Sequence, residues 1–137
     1  MNEKLSKRLF KDYKKLFEPP KIRNDPMKSC MSWGFECGDG WAELLEDMFK
    51  EIQNYVVANK VKGFHFVQIK EKFGGLRAYT SFEDDTIRSI IRKAEDRAEH
   101  TCEVCGKEGK IRRGGWLRCL CAECAKPTII DVINDVV

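Results

Sequence analysis

No run of eighteen apolar residues occurs in this 137-residue sequence, and its opening residues, Met1-Asn2-Glu3-Lys4, are charged rather than apolar. The sequence therefore predicts neither a membrane span nor a signal peptide. Histidine is scarce, with only His65 and His100. No HExxH pair, phosphate-binding glycine loop or nucleophile elbow occurs, so the compact motifs that place a metal-bound water, a phosphate or an activated serine are all missing. Internal repeats, low-complexity tracts and Gly/Ser linkers are missing too. A chain of this length fits one domain, or a domain with a small appended module. It can bury about two-thirds of its unfolded surface, so most of it needs no metal to fold.

Cysteine is what the sequence does have, seven in all. For a chain that is not secreted, an odd count argues against a disulfide framework and for metal binding. Cys102, Cys105, Cys121 and Cys124 stand in the pattern Cys-x2-Cys-x15-Cys-x2-Cys, which predicts one structural Zn²⁺ held by four thiolates. Each close pair brings two sulfurs to one side of a tight turn, and Gly106 lets the backbone turn back toward the metal. Residues 110–113 and 116–120, joined by Gly114-Gly115, read as a hairpin that returns the second pair. A final helix is expected over 127–137, with Pro127 at its first position, although the β-branched Ile129, Ile130, Ile133, Val136 and Val137 leave a strand open. Knuckle, hairpin, second pair and helix in that order resemble a treble-clef finger. Cys119 is a rival ligand, but the x2 spacing favours Cys121. Lys110, Arg112, Arg113 and Arg118 can balance the negative charge of the thiolates. Cys30, Cys37, His65 and His100 offer the ligand types of a second site, with no spacing that specifies one. The plainer reading buries Cys30 and Cys37 beside Trp33 and Trp41.

The remaining pattern is α+β, with helices packed around a β-hairpin. Leu5, Leu9, Tyr13, Leu16 and Phe17 recur at helical spacing among lysines, giving a basic amphipathic helix stopped by Pro19-Pro20. Residues 19–38 read as irregular. Asp39 is the expected N-cap of a long helix whose core stripe is Trp41, Leu44, Leu45, Met48, Ile52, Tyr55 and Val56. Residues 64–73 and 76–82 are β-type runs, and Gly74-Gly75 between them predicts a two-residue primed turn. A third helix is expected from about Asp85, with Ile87, Ile90, Ile91, Ala94 and Ala98 inward. It leads directly into Cys102, so a finger over 101–137 is expected to dock on the body, 1–100, as one structural unit.

Net charge is only +3, but it comes in blocks. Residues 1–28 hold nine Lys/Arg against four Asp/Glu, and residues 36–51 hold six acids against one lysine. Residues 60–77 hold five bases against one acid, and residues 102–126 hold six against three. Such blocks either complement one another in the fold or leave a basic face for an anionic partner.

The stretches Cys30-Met31-Ser32-Trp33-Gly34, Glu36-Cys37-Gly38-Asp39-Gly40-Trp41, Lys70-Glu71-Lys72-Phe73-Gly74-Gly75-Leu76-Arg77 and Thr101-Cys102-Glu103-Val104-Cys105-Gly106 resemble a family of small bacteriophage and prophage proteins. The resemblance runs from the first helix to the second cysteine pair. It implies expression in a bacterial cytoplasm and brings no established activity with it. Threonine often stands at the position of Cys119 in that family, which implies that Cys121 and Cys124 are the ligands.

The sequence is open to two binding functions and one catalytic one. Lys70, Lys72 and Arg77 beside Phe73 and Tyr79, with Arg112, Arg113 and Arg118 on the finger, suit an accessory or regulatory nucleic-acid-binding protein. Cations pair phosphates and rings stack on bases. A rigid scaffold with charged blocks also suits a protein-binding inhibitor or modulator of a host or defence protein. A treble-clef nuclease would need histidines beside the finger, where only His100 lies, and the sequence does not place Cys30 or Cys37 with His65 as a thiol–imidazole pair. The sequence assigns no catalytic residue.

Overall fold

The first helix, α1 (Glu3–Asp12), is capped by Asn2, whose side chain accepts the Leu5 N–H at 2.8 Å. These features belong to a computed structural model that describes residues 1–126, so the helix expected over 127–137 lies outside the described residues. The expected run of α1 to Pro19 is not what forms. Tyr13 leaves helical geometry at φ −120°, and a 3₁₀ turn over Lys14–Leu16 follows. Three residues per turn in place of 3.6 rotates the apolar positions, and Tyr13, Leu16 and Phe17 all face the core.

The segment expected to be irregular carries three short elements instead. Pro20 starts the one-turn helix α2 (Pro20–Arg23). A 3₁₀ turn over Cys30–Trp33 follows, its entry held by the Ser29 hydroxyl accepting from the Met31 N–H. Phe35–Glu36 then forms strand β1. Strand β1 lies parallel to β2 (Phe66–Lys72), with Phe35 opposite Ile69. Parallel neighbours need a long crossover, and the helix α2 is too early to supply it. That role falls to α3 (Ala42–Ala58), whose face of Leu44, Leu45, Met48, Phe49 and Ile52 is buried. Strand β3 (Gly75–Thr80) runs antiparallel to β2 and completes the sheet in the order β1-β2-β3.

The hairpin forms where the β-type runs predict it, but its turn lies one residue earlier. Lys72 pairs with Gly75, so the two turn residues are Phe73 and Gly74, at φ +53° and +84°. Both values belong to a primed turn, and Phe73 holds one without being glycine.

Helix α4 (Asp85–Ala98) is capped by Asp84, which accepts the Ile87 N–H at 2.8 Å, and buries Ile87, Ile91, Ala94 and Ala98. It packs on α3 with ion pairs along the seam, Arg97 to Asp47 at 2.7 Å and Lys93 to Glu51. Arg8 of α1 reaches Glu46 at 2.9 Å. The acidic block of 36–51 is thus met from two sides by basic residues of the same chain. At the centre, Phe49 contacts Phe17, Phe35 and Phe66 with ring centroids 5.3–5.8 Å apart. Trp41 is fully buried, whereas Trp33 is 70% exposed.

Candidate metal centre and the surface around it

Cys102 and Cys105 lie in a knuckle just after α4. Its turn is closed by Gly106 N–H to Cys102 O at 2.9 Å and Cys102 N–H to Lys107 O at 2.7 Å. Gly106 takes φ +81° there. Strands β4 (Lys110–Arg112) and β5 (Arg118–Leu120) form the expected hairpin, with Ile111 opposite Cys119. The chain then turns through Cys121 and Cys124, where the Cys124 N–H points at Cys121 Sγ at 3.4 Å.

The four sulfurs converge. All lie within 4.8 Å of one another, and Cys105 Sγ and Cys121 Sγ are 3.6 Å apart. A tetrahedral ion with metal–sulfur bonds of about 2.3 Å spaces its thiolates about 3.8 Å apart, so the arrangement is positioned to hold a metal ion. The thiols' acidities agree with a site that lacks charge balance on its own. Burial raises the Cys102 pKa, but N–H groups of Cys105, Cys121 and Val104 outweigh it and bring the thiol down to about 6. Its neighbour Cys124 is pushed up to about 12, first by its hydrogen bond with Cys121. Four thiolates side by side need a cation to ionise together.

Cys119 has a different task. It is fully buried in the hydrophobic core and its thiol donates to Glu99 O at 3.3 Å. Burial pushes its pKa up, keeping it a protonated donor. It belongs to the packing that joins finger and body, and not to the thiolate cluster.

The second constellation does not assemble. Among the described residues the four finger cysteines are the only His, Cys, Asp and Glu group placed to hold a metal. Cys30 is exposed, contrary to its expected burial, because the 3₁₀ turn directs Met31 inward instead. Cys37 is buried, and burial pushes its thiol up to about 12. His65 pairs with Glu18 at 3.0 Å. His100 is exposed and its carbonyl accepts the Gly109 N–H.

The finger is clasped by residues 37–41. Asp39 is not the helix cap it resembles, because its carboxylate accepts from the backbone and side-chain nitrogens of Asn2 at 2.6 and 2.9 Å. A 3₁₀ turn over Asp39–Trp41 leads into α3 without a side-chain cap. Gly40 N–H donates to Glu103 O at 2.7 Å, Gly38 N–H to the Glu103 carboxylate at 2.8 Å, and Trp41 Nε1 to Thr101 O at 2.8 Å. The approach is close enough to demand glycine: a Cβ on Gly40 would lie 2.2 Å from Cys102 O. By sequence, Gly38 ends an irregular segment and Gly40 follows the expected helix cap at Asp39. Two glycines flanking one exposed aspartate, just before a tryptophan, were the available sign of a close backbone contact.

The basic candidates separate onto two hairpins that touch. Lys70 lies opposite Arg77, and Lys72 follows on the same sheet face. Arg112 lies opposite Arg118, with Arg112 Nε donating to Leu120 O at 3.0 Å, while Arg113 is exposed. The tip of the body hairpin rests on the finger, where the position of a Gly74 Cβ is 3.1 Å from Ile111 Cγ2. Phe73 and Trp116 line one cleft there, of about 280 Å³, together with Glu71, Lys72 and Gly115, and the Glu71 carboxylate is taken up by the Gly74 N–H at 2.7 Å. The exposures of Phe73 and Trp116 are 67% and 79%.

Comparison with protein-family models, curated proteins and solved structures gave no match for the chain. Its function has to be read from the geometry of the site.

Proposed function

We propose that this protein binds single-stranded nucleic acid across its two touching hairpins, and that a structural Zn²⁺ in the four-cysteine site holds one of them in place. The observation that carries this reading is the pairing of Phe73 and Trp116 in one cleft beside Lys72. Two exposed rings from separate elements offer stacking surfaces to successive bases, and the cations around them offer partners for phosphates.

Two features of the same surface support it. Phe73 holds φ +53° in a turn that prefers asparagine or glycine, and its ring is left in solvent. A left-handed conformation costs a non-glycine residue about 1–2 kcal/mol; the turn is held by the Gly74 N–H donating to the Glu71 carboxylate at 2.7 Å, and the Phe73 ring is not buried in return. The finger hairpin also sets like charges directly opposite, Arg112 against Arg118, an arrangement that destabilises a strand pair; on the body hairpin Lys70 stands against Arg77 but also has Glu36 of β1 across from it.

Four-thiolate coordination leaves no position for a substrate, so the zinc is structural in this reading. The phage-type family and the bacterial cytoplasm suggested by the sequence motifs are the setting we propose for it, with the treble-clef order as the finger's architecture. The charge blocks give little support to a protein partner, because Glu46, Asp47 and Glu51 are already paired with Arg8, Arg97 and Lys93.

Polarisation of a dye-labelled single-stranded oligonucleotide, titrated with zinc-loaded protein at low and moderate salt, tests the reading. Phe73→Ala and Trp116→Ala should each weaken binding by about 1–3 kcal/mol, the worth of one stacked base. Affinity should also fall with added salt as counterions compete. No binding at low salt removes the proposal.

A further inference from the structure

A second basic surface lies in the N-terminal part of the chain, in an open groove of about 690 Å³ between α1 and α2. Its floor includes Phe10, stacked on Phe35 with centroids 4.5 Å apart. The Arg23 guanidinium lies over the Phe10 ring, 4.0 Å from its centroid. Its Nε is buried with no hydrogen-bond partner. Burial alone lowers its pKa, with no carboxylate acting on it. A desolvated N–H of a cation is costly to leave unmade, and arginine normally spends such donors on a carboxylate or a phosphate.

The groove contains acids that could have answered it, but both are committed elsewhere. Asp12 pairs with Arg8 at 3.5 Å and Glu18 with His65 at 3.0 Å. Lys11 and Lys14 line the same groove and enter no ion pair among the described residues. Four cations thus line one groove; Lys7 is paired with Glu3 at 3.0 Å, Lys11 and Lys14 are not paired among the described residues, and the arginine fixed by stacking has an unmet donor.

We propose that this groove is a phosphoryl-binding site in which Arg23 supplies a fixed planar donor and Lys11 and Lys14 supply mobile charge. Arginine suits the first role because its fork matches phosphate oxygens, and its stacked ring face fixes the plane. The phosphoryl group can belong to a free nucleotide or to the terminal phosphate of a strand, and these are separable by experiment. The site is independent of the cleft at Phe73 and Trp116.

The test is an NMR titration of the zinc-loaded full chain with inorganic phosphate, following the Arg23 Nε–H resonance. The expected result is a saturable shift of that resonance, weakened about tenfold or more by Lys11→Gln with Lys14→Gln, in keeping with lost charge-assisted bonds. Phe73→Ala with Trp116→Ala should leave the titration unchanged. Arg23→Met should abolish phosphate binding detected on neighbouring amides, yet unfold at the same temperature as wild type or higher, because an unmet buried cation is replaced by an apolar chain. A second arm compares an adenosine nucleotide with 5′-phosphorylated and 5′-hydroxyl oligonucleotides. Preference for the nucleotide assigns the free ligand, and preference for the phosphorylated strand assigns the strand end. An Nε–H resonance unmoved at tens of millimolar phosphate overturns the site. So does phosphate binding that survives Arg23→Met, or an Arg23→Met protein that unfolds several degrees lower, which would make the guanidinium a packing element.

Discussion

Gly40→Ala is the sharpest probe of how the finger is held. Gly40 has no positive φ, so alanine brings no backbone strain and only steric cost. The new Cβ would lie 2.2 Å from Cys102 O, 2.6 Å from Gly106 N and 2.7 Å from Glu103 C. All three are backbone atoms of the knuckle, so no side chain can rotate away. Forcing a methyl into packed structure costs about 1–3 kcal/mol. If the knuckle lifts to make room, the bonds of Gly40 N–H, Gly38 N–H and Trp41 Nε1 to residues 101–103 stretch together. Each is worth about 0.5–1.5 kcal/mol net. Alanine restricts the unfolded chain and returns about 0.4–1 kcal/mol. The balance is a loss of about 2–4 kcal/mol, or roughly 10 °C in Tm for a chain of this size. Denaturant unfolding followed by circular dichroism, with zinc present, measures it. Gly63→Ala is the control, because nothing lies within 4 Å of its Cβ position and its φ of +79° adds only strain, worth about 1–2 kcal/mol. A Gly40→Ala protein within about 0.5 kcal/mol of wild type, the range of ordinary surface changes, would refute the close clasp.

Metal analysis of purified protein should find bound zinc reduced in Cys102→Ser and Cys124→Ser but retained in Cys119→Ser, whose thiol lies outside the cluster; undiminished zinc in the first two would defeat the assignment. The hydrogen bond from Arg8, aided by that from Tyr13, holds the Glu46 carboxyl below its ordinary pKa, so its contribution is present above the usual glutamate value and is lost as pH falls through the lower folded one. Glu46→Gln should flatten stability against pH on the acid side by under about 1 kcal/mol, as expected of a half-exposed pair, and an unchanged acid limb in thermal melts counts against it. Phe73→Asn should raise stability by about 1 kcal/mol by relieving the left-handed turn while weakening oligonucleotide binding, and a variant that loses stability would show that the ring is needed for the fold.

The parts legible in the sequence are those whose physics is local. Four cysteines at matched spacings declare a metal geometry, because the ion fixes how far apart ligands in one turn can stand. Helices α3 and α4 declare themselves through apolar stripes many residues long, although Phe49 joins the buried face of α3 beyond the stripe the spacing picked out. Strand β1 was hidden because two residues, Phe35 and Glu36, have no period, and their partner Ile69 lies far along the chain. The turn falls at Phe73-Gly74 for the opposite reason. The local rule assigns both positive-φ positions to Gly74-Gly75, but pairing register puts Lys72 against Gly75 and leaves Phe73 to take one of them. The contact at Gly38 and Gly40 is not legible locally, because their need for glycine arises from Cys102, Glu103 and Gly106, more than sixty residues away.

The Gly40 contact and the Phe73-Gly74 turn are both places where the body and the finger share a surface. Gly40 meets the knuckle at one end of the finger, and the Phe73-Gly74 tip meets Ile111 and Arg118 at the other. Cys119 lies between them, buried in the core with its thiol on Glu99. A finger held at both ends and in the middle has its orientation fixed, so the fold itself brings Trp116 and Phe73 to one cleft. The metal would then act on binding at a distance from the bases. Its loss would release β4 and β5, and with them the half of the cleft that Trp116 forms, while Phe73 stayed on the intact sheet of the body. The separation gives the metal and the rings distinguishable consequences: Trp116→Ala should weaken binding without altering zinc content, whereas Cys124→Ser should reduce both.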